Sequence, residues 1–417
     1  MEYLYILKQA LIWVLTTFWC YQFVISLCAL VKLKDKPYLV NKNHKFMAII
    51  PAHNEEMVVA NLIESLKNQT YDKNLYDIYV IADNCTDKTA EVARKAGAIV
   101  YERFDNAHKT KGYALQWFLK QKIAENADYD AFFVFDADNI VDKNFIKNMN
   151  KKLCQGEEVV QGYRDIKNPT DNWITAGYAL FYWTMHRMYH LARYNIGLSP
   201  LLNGTGFMVK FDVIKPNGWE TQTLTEDIEF SLKQIIQGRK LGWATDAIVY
   251  DEQPTSFKQA WSQRSRWTVG HMQCLKTYTG QLYKAVKEHK TLMNLDGLLY
   301  IAGTAPILVV TFGLILINCI MYVSQAMTTW LFIVNILNYL IPTLLFPIFT
   351  ALFVMVLEKK PIKPMIKGLL CYPAFMGTWV IINLKCLFKR ETTWEKIDHV
   401  RDIKIAEVKE EEIPEKI

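Results

Sequence analysis

Charge is missing from two long stretches of this chain: neither Leu11 to Val31 nor Gly297 to Leu357 holds an Asp, Glu, Lys or Arg. Roughly 20 apolar residues span a bilayer, so both stretches read as membrane segments, the second long enough to cross twice. The first is too long for a signal-peptide core and lacks a small-residue cleavage site, which makes it a retained anchor rather than a leader. Also lacking is any C-x-x-C. The eight cysteines (Cys20, Cys28, Cys85, Cys154, Cys274, Cys319, Cys371 and Cys386) are scattered. Neither a disulfide framework nor a zinc site is implied, and a reduced cytosolic face is the simplest account. The formal net charge is only +6 over 417 residues, and no nucleic-acid partner is implied.

What is present is a polar middle between apolar ends. Lysines follow the first stretch at Lys32, Lys34 and Lys36, with only Lys8 before it. The positive-inside rule therefore puts the middle in the cytoplasm. The organisation expected is an N-terminal transmembrane anchor at 1–36 and a cytoplasmic catalytic domain at 37–268. An interfacial amphipathic helix at 269–296 follows, then two transmembrane helices within 297–358. The segment 359–390 is interfacial, re-entrant or a third C-terminal membrane segment, since Pro373 and Gly377 interrupt an otherwise apolar run. A charged tail at 391–417 closes the chain. Pro306, Pro342 and Pro347 could line a channel or belong to kinked core packing, and proline is common in membrane helices.

The middle alternates. Strands are expected at 46–51, 77–82, 98–101 and 132–135, with helices over 58–66, 89–96 and 113–123 between them. This is the grammar of an open parallel α/β sheet. Ligands sit outside the carboxyl ends of such strands, where Glu55, Asp83, Asp87, Lys111, Asp136 and Asp138 stand. Further on, 159–164 and 247–250 read as strands, and 171–191 as one aromatic-rich helix. That aromatic stripe is either core or a platform for sugar rings.

Asp136-Ala137-Asp138 ends the run Phe132-Phe133-Val134-Phe135. Two carboxylates at the end of a buried strand are costly unless something pairs with them. A divalent cation shared with a phosphate would do so, because Mg²⁺ and Mn²⁺ prefer oxygen ligands. Thr225-Glu226-Asp227 opens a helix, where Thr suits an N-cap and acids suit the dipole. Asn203-Gly204-Thr205-Gly206 permits a tight bend or close approach to a ligand. Gln263-Arg264-Ser265-Arg266-Trp267 offers interfacial anchors or a diphosphate clamp, between which spacing does not choose.

In order, Ala52-His53-Asn54-Glu55-Glu56, Asp83 with Asp87, Asp136-Ala137-Asp138, Thr225-Glu226-Asp227 and Gln263-Arg264-Ser265-Arg266-Trp267 resemble the membrane-embedded family 2 glycosyltransferases. That group includes the cellulose, hyaluronan, chitin and poly-N-acetylglucosamine synthases. The resemblance covers roughly residues 46–270 and the hydrophobic flanks. It implies an α/β GT-A domain, mostly parallel, inserted between transmembrane helices, and inversion at the anomeric carbon. It implies Mg²⁺ or Mn²⁺ held by Asp138 and Asp136, and a UDP-sugar donor such as UDP-glucose or UDP-N-acetylglucosamine.

By the same likeness Ala52, Asn54, Glu55, Asp83, Lys111, Asp136, Arg264 and Arg266 would bind the donor. Asp227 would be the general base, with Glu226 beside it. Gly204, Thr205, Gly206, Gln263 and Trp267 would face the acceptor. Asn203 stands where cellulose synthases usually carry cysteine, and no cyclic-dinucleotide-binding module is expected. Trp394 and His399 would return near the active site. The activity implied is processive elongation of a β-linked polysaccharide at the cell membrane. The alternative is one sugar added to a lipid-linked acceptor, and the reading from another class is a scaffold or transporter that has kept the fold. Membrane lipids, and an accessory subunit or a second copy of the chain, are the other partners to expect.

Overall fold

The computed structural model describes residues 2–31 and 36–388, so Lys32, Lys34, Trp394, His399 and the charged tail lie outside the described residues. Eight strands form one sheet: β1 (Phe46–Ala52), β2 (Tyr76–Asp83), β3 (Ile99–Arg103), β4 (Ala131–Val134), β5 (Ile140–Val141), β6 (Val159–Ile166), β7 (Phe207–Lys210) and β8 (Gly242–Asp251). Their order is β3-β2-β1-β4-β7-β6-β8-β5. β1 pairs in parallel with β2 and β4, β2 with β3, and β6 with β8. β7 runs antiparallel between β4 and β6, and β5 caps β8.

Helices α1 (Glu2–Leu27), α2 (Val59–Lys67), α3 (Thr89–Lys95), α4 (Lys111–Ala124), α5 (Phe145–Cys154) and α6 (Trp173–Thr184) come first. Then come α7 (Ala192–Asn195), α8 (Phe211–Ile214), α9 (Glu226–Ile236), α10 (Phe257–His289), α11 (Leu292–Val323), α12 (Thr329–Leu357) and α13 (Ile362–Phe388).

β1 is apolar throughout because both faces of the sheet are covered, as in parallel sheets generally. Alternate residues go opposite ways. Ala48 and Ile50 pack with Val59, Leu62, Ile63 and Leu66 of α2, while Met47 and Ile49 pack with Leu115, Phe118 and Leu119 of α4. Strands β5 and β7, two and four residues long, carry too few residues for a periodic signal, and neither was expected. The single helix expected over 171–191 is α6 followed by a π-helical segment, Met185–Leu191, and then α7. Asn172 caps its start by accepting from Ile174 N and Thr175 N. Single π-helical turns inside helices are rare and frequent at functional sites.

α10 runs unbroken from Phe257 to His289, so Gln263 to Trp267 and the helix expected at 269–296 are largely one element. Among the described residues, Glu2–Leu30, Thr329–Leu357 and Ile362–Cys386 are long and apolar enough to cross a membrane, and α11 contains the apolar stretch Val309–Val323. Large apolar side chains stand exposed on α1 (Trp13, Trp19, Phe23) and on α12 (Leu344, Phe346, Phe349). Such surfaces mark a membrane or partner contact.

These helices are fastened to the sheet domain by buried polar contacts. Arg193 of α7 donates to both carboxylate oxygens of Asp296 on α11, at 2.9 and 3.1 Å, and to Gln22 of α1 at 2.9 Å. Tyr21 of α1 donates to the same Asp296 at 2.7 Å. Near the far end of these helices, Lys8 donates to Asn318 at 2.7 Å and to Asn335 at 3.4 Å, joining α1, α11 and α12.

α13 rests on the domain at both ends. Lys360, just before it, bonds Asp165 at 2.5 Å. Its last turn brings Cys386 against Val269, with Cys386 Sγ 3.8 Å from Ser265 O. Ile366, Leu370 and Ile381 are left exposed on its outer face.

Candidate active site

Lys111, first residue of α4, extends across the carboxyl end of the sheet. Its Nζ donates to Asp136 Oδ1 at 2.5 Å and to Gly204 O at 2.6 Å, and lies 3.8 Å from Glu226. Burial pulls the Lys111 ammonium down, but Asp136, Glu226 and Asp227 outweigh it and the pKa ends up raised.

Asp136 N donates to Thr205 Oγ1 at 3.0 Å and to Asn139 Oδ1 at 3.2 Å. Asn139 in turn donates to Asp138 Oδ1 at 3.1 Å and to Asp251 Oδ1 at 2.8 Å. Asp251 closes the ring with Arg164, whose Nε lies 3.0 Å away and whose Nη1 donates to Asn203 O at 2.9 Å.

Gly204 has φ +90°, and a Cβ there would stand 3.8 Å from Asp227 Oδ2 and 3.6 Å from Arg164 Nη1. That left-handed turn lets the backbone pass close beside the acids, a conformation open to glycine at little cost. Asp227 and Glu226 open α9, where the free N–H groups and helix dipole favour carboxylates. Burial still dominates. It pushes Glu226 up to about 7, with Lys111 opposing and Asp227 reinforcing. Asp227 is raised by burial too, against the pull of the Ile228 N–H, Lys111 and Arg164. Arg266 moves down because it is desolvated, although Glu226, Asp136 and Asp227 lie close enough to hold its charge.

Lys111, Asp136, Asp138, Arg164, Glu226, Asp227, Asp251 and Arg266 face one cavity of ≈ 1440 Å³. Its floor is the carboxyl ends of β1, β2, β4 and β6; its far walls are α1 (Phe18, Trp19, Gln22), α11 (Tyr300, Gly303, Ile307) and α13 (Met376, Trp379, Val380). Among the described residues no three metal-ligating side chains cluster. Asp136 and Asp138, on that floor, are therefore a partial donor set, of the kind that fits a hard cation completing its shell with phosphate oxygens.

Residues 44–270 match the family described as glycosyltransferase like family 2. The chain belongs to this family. Similar proteins include a probable glycosyltransferase, YdaM, of Bacillus subtilis, 28% identical over 58% of this chain and 58% of its own length. The β-monoglucosyldiacylglycerol synthase of a Nostoc species is 28% identical over 57% of this chain and 51% of its own. A glucomannan 4-β-mannosyltransferase of Arabidopsis thaliana is 26% identical over 57% and 44%. The chain thus spans about half the length of the relatives it matches. Among solved structures, a mannosyltransferase of Pyrobaculum calidifontis in complex with GDP-Man and Mn²⁺ superposes at a TM-score of 0.62. It covers 91% of this chain and 99% of its own, at 14% identity, which speaks to the fold. The glycosyltransferase has the GT-A architecture: a mostly parallel sheet with a helical, apolar C-terminal region.

Of the residues singled out from the sequence of this glycosyltransferase, Ala52, Glu55, Asp83, Lys111, Asp136, Asp138, Gly204, Glu226, Asp227, Gln263, Arg266 and Trp267 line the cavity together. Gln263, Arg266 and Trp267 sit at i, i+3 and i+4 and share one face of α10. Asp83 is buried, which raises its pKa, and Arg103 bonds it at 2.6 Å.

Four of the expected residues are placed elsewhere. Arg264 points the other way, fully buried, donating to Phe375 O at 3.2 Å and Thr378 Oγ1 at 2.8 Å, with its guanidinium 4.3 Å from the Phe375 ring centre. It holds α13 rather than facing the cavity. Thr205 braces the Asp136 backbone, and Gly206 packs on Val249, so neither lines the cavity. Asn54 ties two loops by accepting from Thr86 N at 2.7 Å. Pro342 and Pro347 lie in α12, none of whose described residues lines the cavity. The sequence reading missed Arg164, His190, His271 and Tyr300 as cavity residues. Their neighbours come from other parts of the chain, which spacing does not reveal.

Proposed function

We propose that this glycosyltransferase moves a sugar from a UDP-sugar onto a growing β-linked glycan, with inversion at the anomeric carbon and Asp227 as general base. The observation that carries the reading is the gathering of Asp227, Glu226, Lys111, Asp136 and Arg266 around one cavity that continues between α1, α11 and α13. Ala52, Glu55 and Asp83 would hold the nucleoside. Lys111 and Arg266 supply positive charge where the diphosphate would lie, with Asp136 orienting Lys111.

Asp227 takes the proton from the acceptor hydroxyl as its oxygen bonds the anomeric carbon, and the bond to the diphosphate breaks with its electron pair leaving on UDP. A carboxylate with raised pKa is better matched to that task than an ordinary one. A Mg²⁺ or Mn²⁺ ion at Asp138 and Asp136 would neutralise charge on the diphosphate when bound.

The domain would lie on the cytoplasmic face of the cell membrane. In this reading α1, α11 and α12 cross the bilayer, while α13, held to the domain at both ends, lies in the interface with Ile366, Leu370 and Ile381 toward lipid. The glycan would pass into the cavity beyond Trp267, alone or with an accessory subunit or second copy.

A second reading, one sugar added to a lipid-linked acceptor, is favoured by the apolar lining at Leu299, Ile307, Met376 and Val380. Product size separates the two. Purified protein given a labelled UDP-sugar and Mg²⁺ or Mn²⁺ yields a ladder or high polymer under the first reading and a single addition under the second. No UDP release from any nucleotide sugar would contradict both.

A further inference from the structure

Between the acids and the membrane helices, one wall of the cavity carries polar atoms with nothing in the protein to bond. Among the described residues, His190 Nε2, Asn203 Oδ1, Thr268 Oγ1 and His271 Nε2 are buried without a hydrogen-bond partner, and all four residues line the cavity. A buried polar group left unsatisfied costs about 1–3 kcal/mol, and such groups in native structures call for an explanation such as a ligand.

They belong to a single surface. Rings follow one another from His271 to Tyr300 at 5.5 Å, Tyr300 to Tyr189 at 5.6 Å, and Tyr189 to His190 at 5.3 Å. His186, 5.8 Å from His190, bonds Asn203 at 2.9 Å. Asn203 adjoins Gly204, whose backbone lies beside Asp227. The arc thus begins at the base and rises along α7's preceding π segment to α10 and α11. Thr268 stands one turn before His271 on the same helix.

The arc's own side chains carry no charge, and the nearest cation, Arg193, is spent on the back of Tyr189 and on Asp296. The His190 ring is stacked on Trp243 at 5.1 Å with 2° between planes. Its Nδ1 accepts from Leu201 N at 3.3 Å, which leaves Nε2 carrying the proton as a donor. Burial, with Arg193 adding to it, takes His190 down to about 3, and burial lowers His271 as well. Both imidazoles are neutral at physiological pH. Neutral donors and acceptors interleaved with aromatic faces match a ring carrying several hydroxyls; they offer no cation for a phosphate.

We propose that Asn203, His190, Tyr189, Tyr300, His271 and Thr268 form a subsite for the terminal sugar of the acceptor, so that the group glycosylated is itself a neutral glycoside. This rests on Asp227 being the base. A lone lipid alcohol would leave most of these atoms unbonded, and a lipid phosphate would put a dianion against neutral imidazoles. Tyr300 supplies a face for the sugar's C–H groups, Tyr189 backs it with its own far face held by the Arg193 guanidinium at 3.5 Å, and the polar atoms read its hydroxyls.

The test uses the full chain in detergent with its preferred UDP-sugar and Mn²⁺. Octyl β-glucoside, dioctanoylglycerol and a short polyprenyl phosphate serve as acceptor probes. The glycoside is expected to be glycosylated at least tenfold faster than either of the others. His271→Ala and, separately, His190→Gln are expected to raise the glycoside KM at least tenfold with the donor KM within twofold. Faster transfer to dioctanoylglycerol or the polyprenyl phosphate overturns the subsite, as does a glycoside KM unmoved in both variants. If the wild type releases no UDP with any nucleotide sugar, the proposed function itself fails, an outcome distinct from these. The acceptor panel needs no variant, so poor folding of His190→Gln does not weaken the test.

Discussion

Lys111 and Asp136 meet at 2.5 Å on the floor of the cavity, one from the start of α4 and the other from the end of β4. The lysine also spans to Gly204 O at 2.6 Å, so a single ammonium fixes two loops and sets the charge felt by Glu226 and Asp227. Lys111→Met should therefore lower kcat/KM for the donor by about 10²-fold, the scale of one positioned electrostatic contact. It should also shift the acid limb of the pH profile upward, because a cation that favours both carboxylates is gone. Steady-state kinetics with varied donor checks the first effect and the pH profile the second.

The acids themselves set the pH dependence. The base proposed here, Asp227, would work deprotonated, so activity should be lost as pH falls through its raised pKa and recover above it. With Glu226 pushed up to about 7 and Asp227 raised as well, the acid limb should lie above the ordinary carboxylate range. Because Asp227 adds to the rise at Glu226, the two repel each other as anions. Glu226→Gln should move the limb to lower pH, read from kcat/KM between pH 5 and 8.

Two arginines two residues apart should fail in different ways. Arg266 lines the cavity, so Arg266→Ala should cost about 10²-fold or more in turnover with little change in thermal unfolding. Arg264 is buried against Phe375 and Thr378. Arg264→Ala should lower stability by about 2–3 kcal/mol, the cost of breaking charge-assisted buried contacts. Thermal unfolding in detergent, beside turnover, separates the two.

The Arg193–Asp296 contact, buried on both sides, fastens α11 to the catalytic domain. Removing one partner of such a pair leaves an uncompensated charge and costs about 3–5 kcal/mol. Asp296→Met should therefore be the most destabilising of these changes, and Arg193→Met with Asp296→Met together should be milder than either alone. Chemical denaturation of the four proteins completes the cycle.

How far the sequence revealed this arrangement depends on how local each signal is. Phe132 to Asp136 announces its strand and its end because an apolar run stops at an acid. Of the residues expected at the strand ends, Glu55, Asp83, Lys111, Asp136 and Asp138 line one cavity because parallel strands deliver their carboxyl ends to one edge, whereas Asp87 turns back to bond Thr89 and does not. β7 was invisible: four residues after a glycine turn carry no period, yet they reverse the sheet direction beside the site. Arg264 and Arg266 became distinguishable only once α10 was seen to begin at Phe257, which fixes the helical face each occupies. His190 and His271 gave no signal, since the wall they share is assembled from a π-helical segment and two distant helices.

The most direct test of the account is UDP release by purified Asp227→Asn protein, with Mg²⁺ or Mn²⁺ and saturating donor and acceptor. Loss of a general base predicts a fall in turnover of about 10²–10⁴-fold, with donor affinity by titration close to wild type. Turnover equal to wild type would contradict the assignment of Asp227 and the chemistry built upon it.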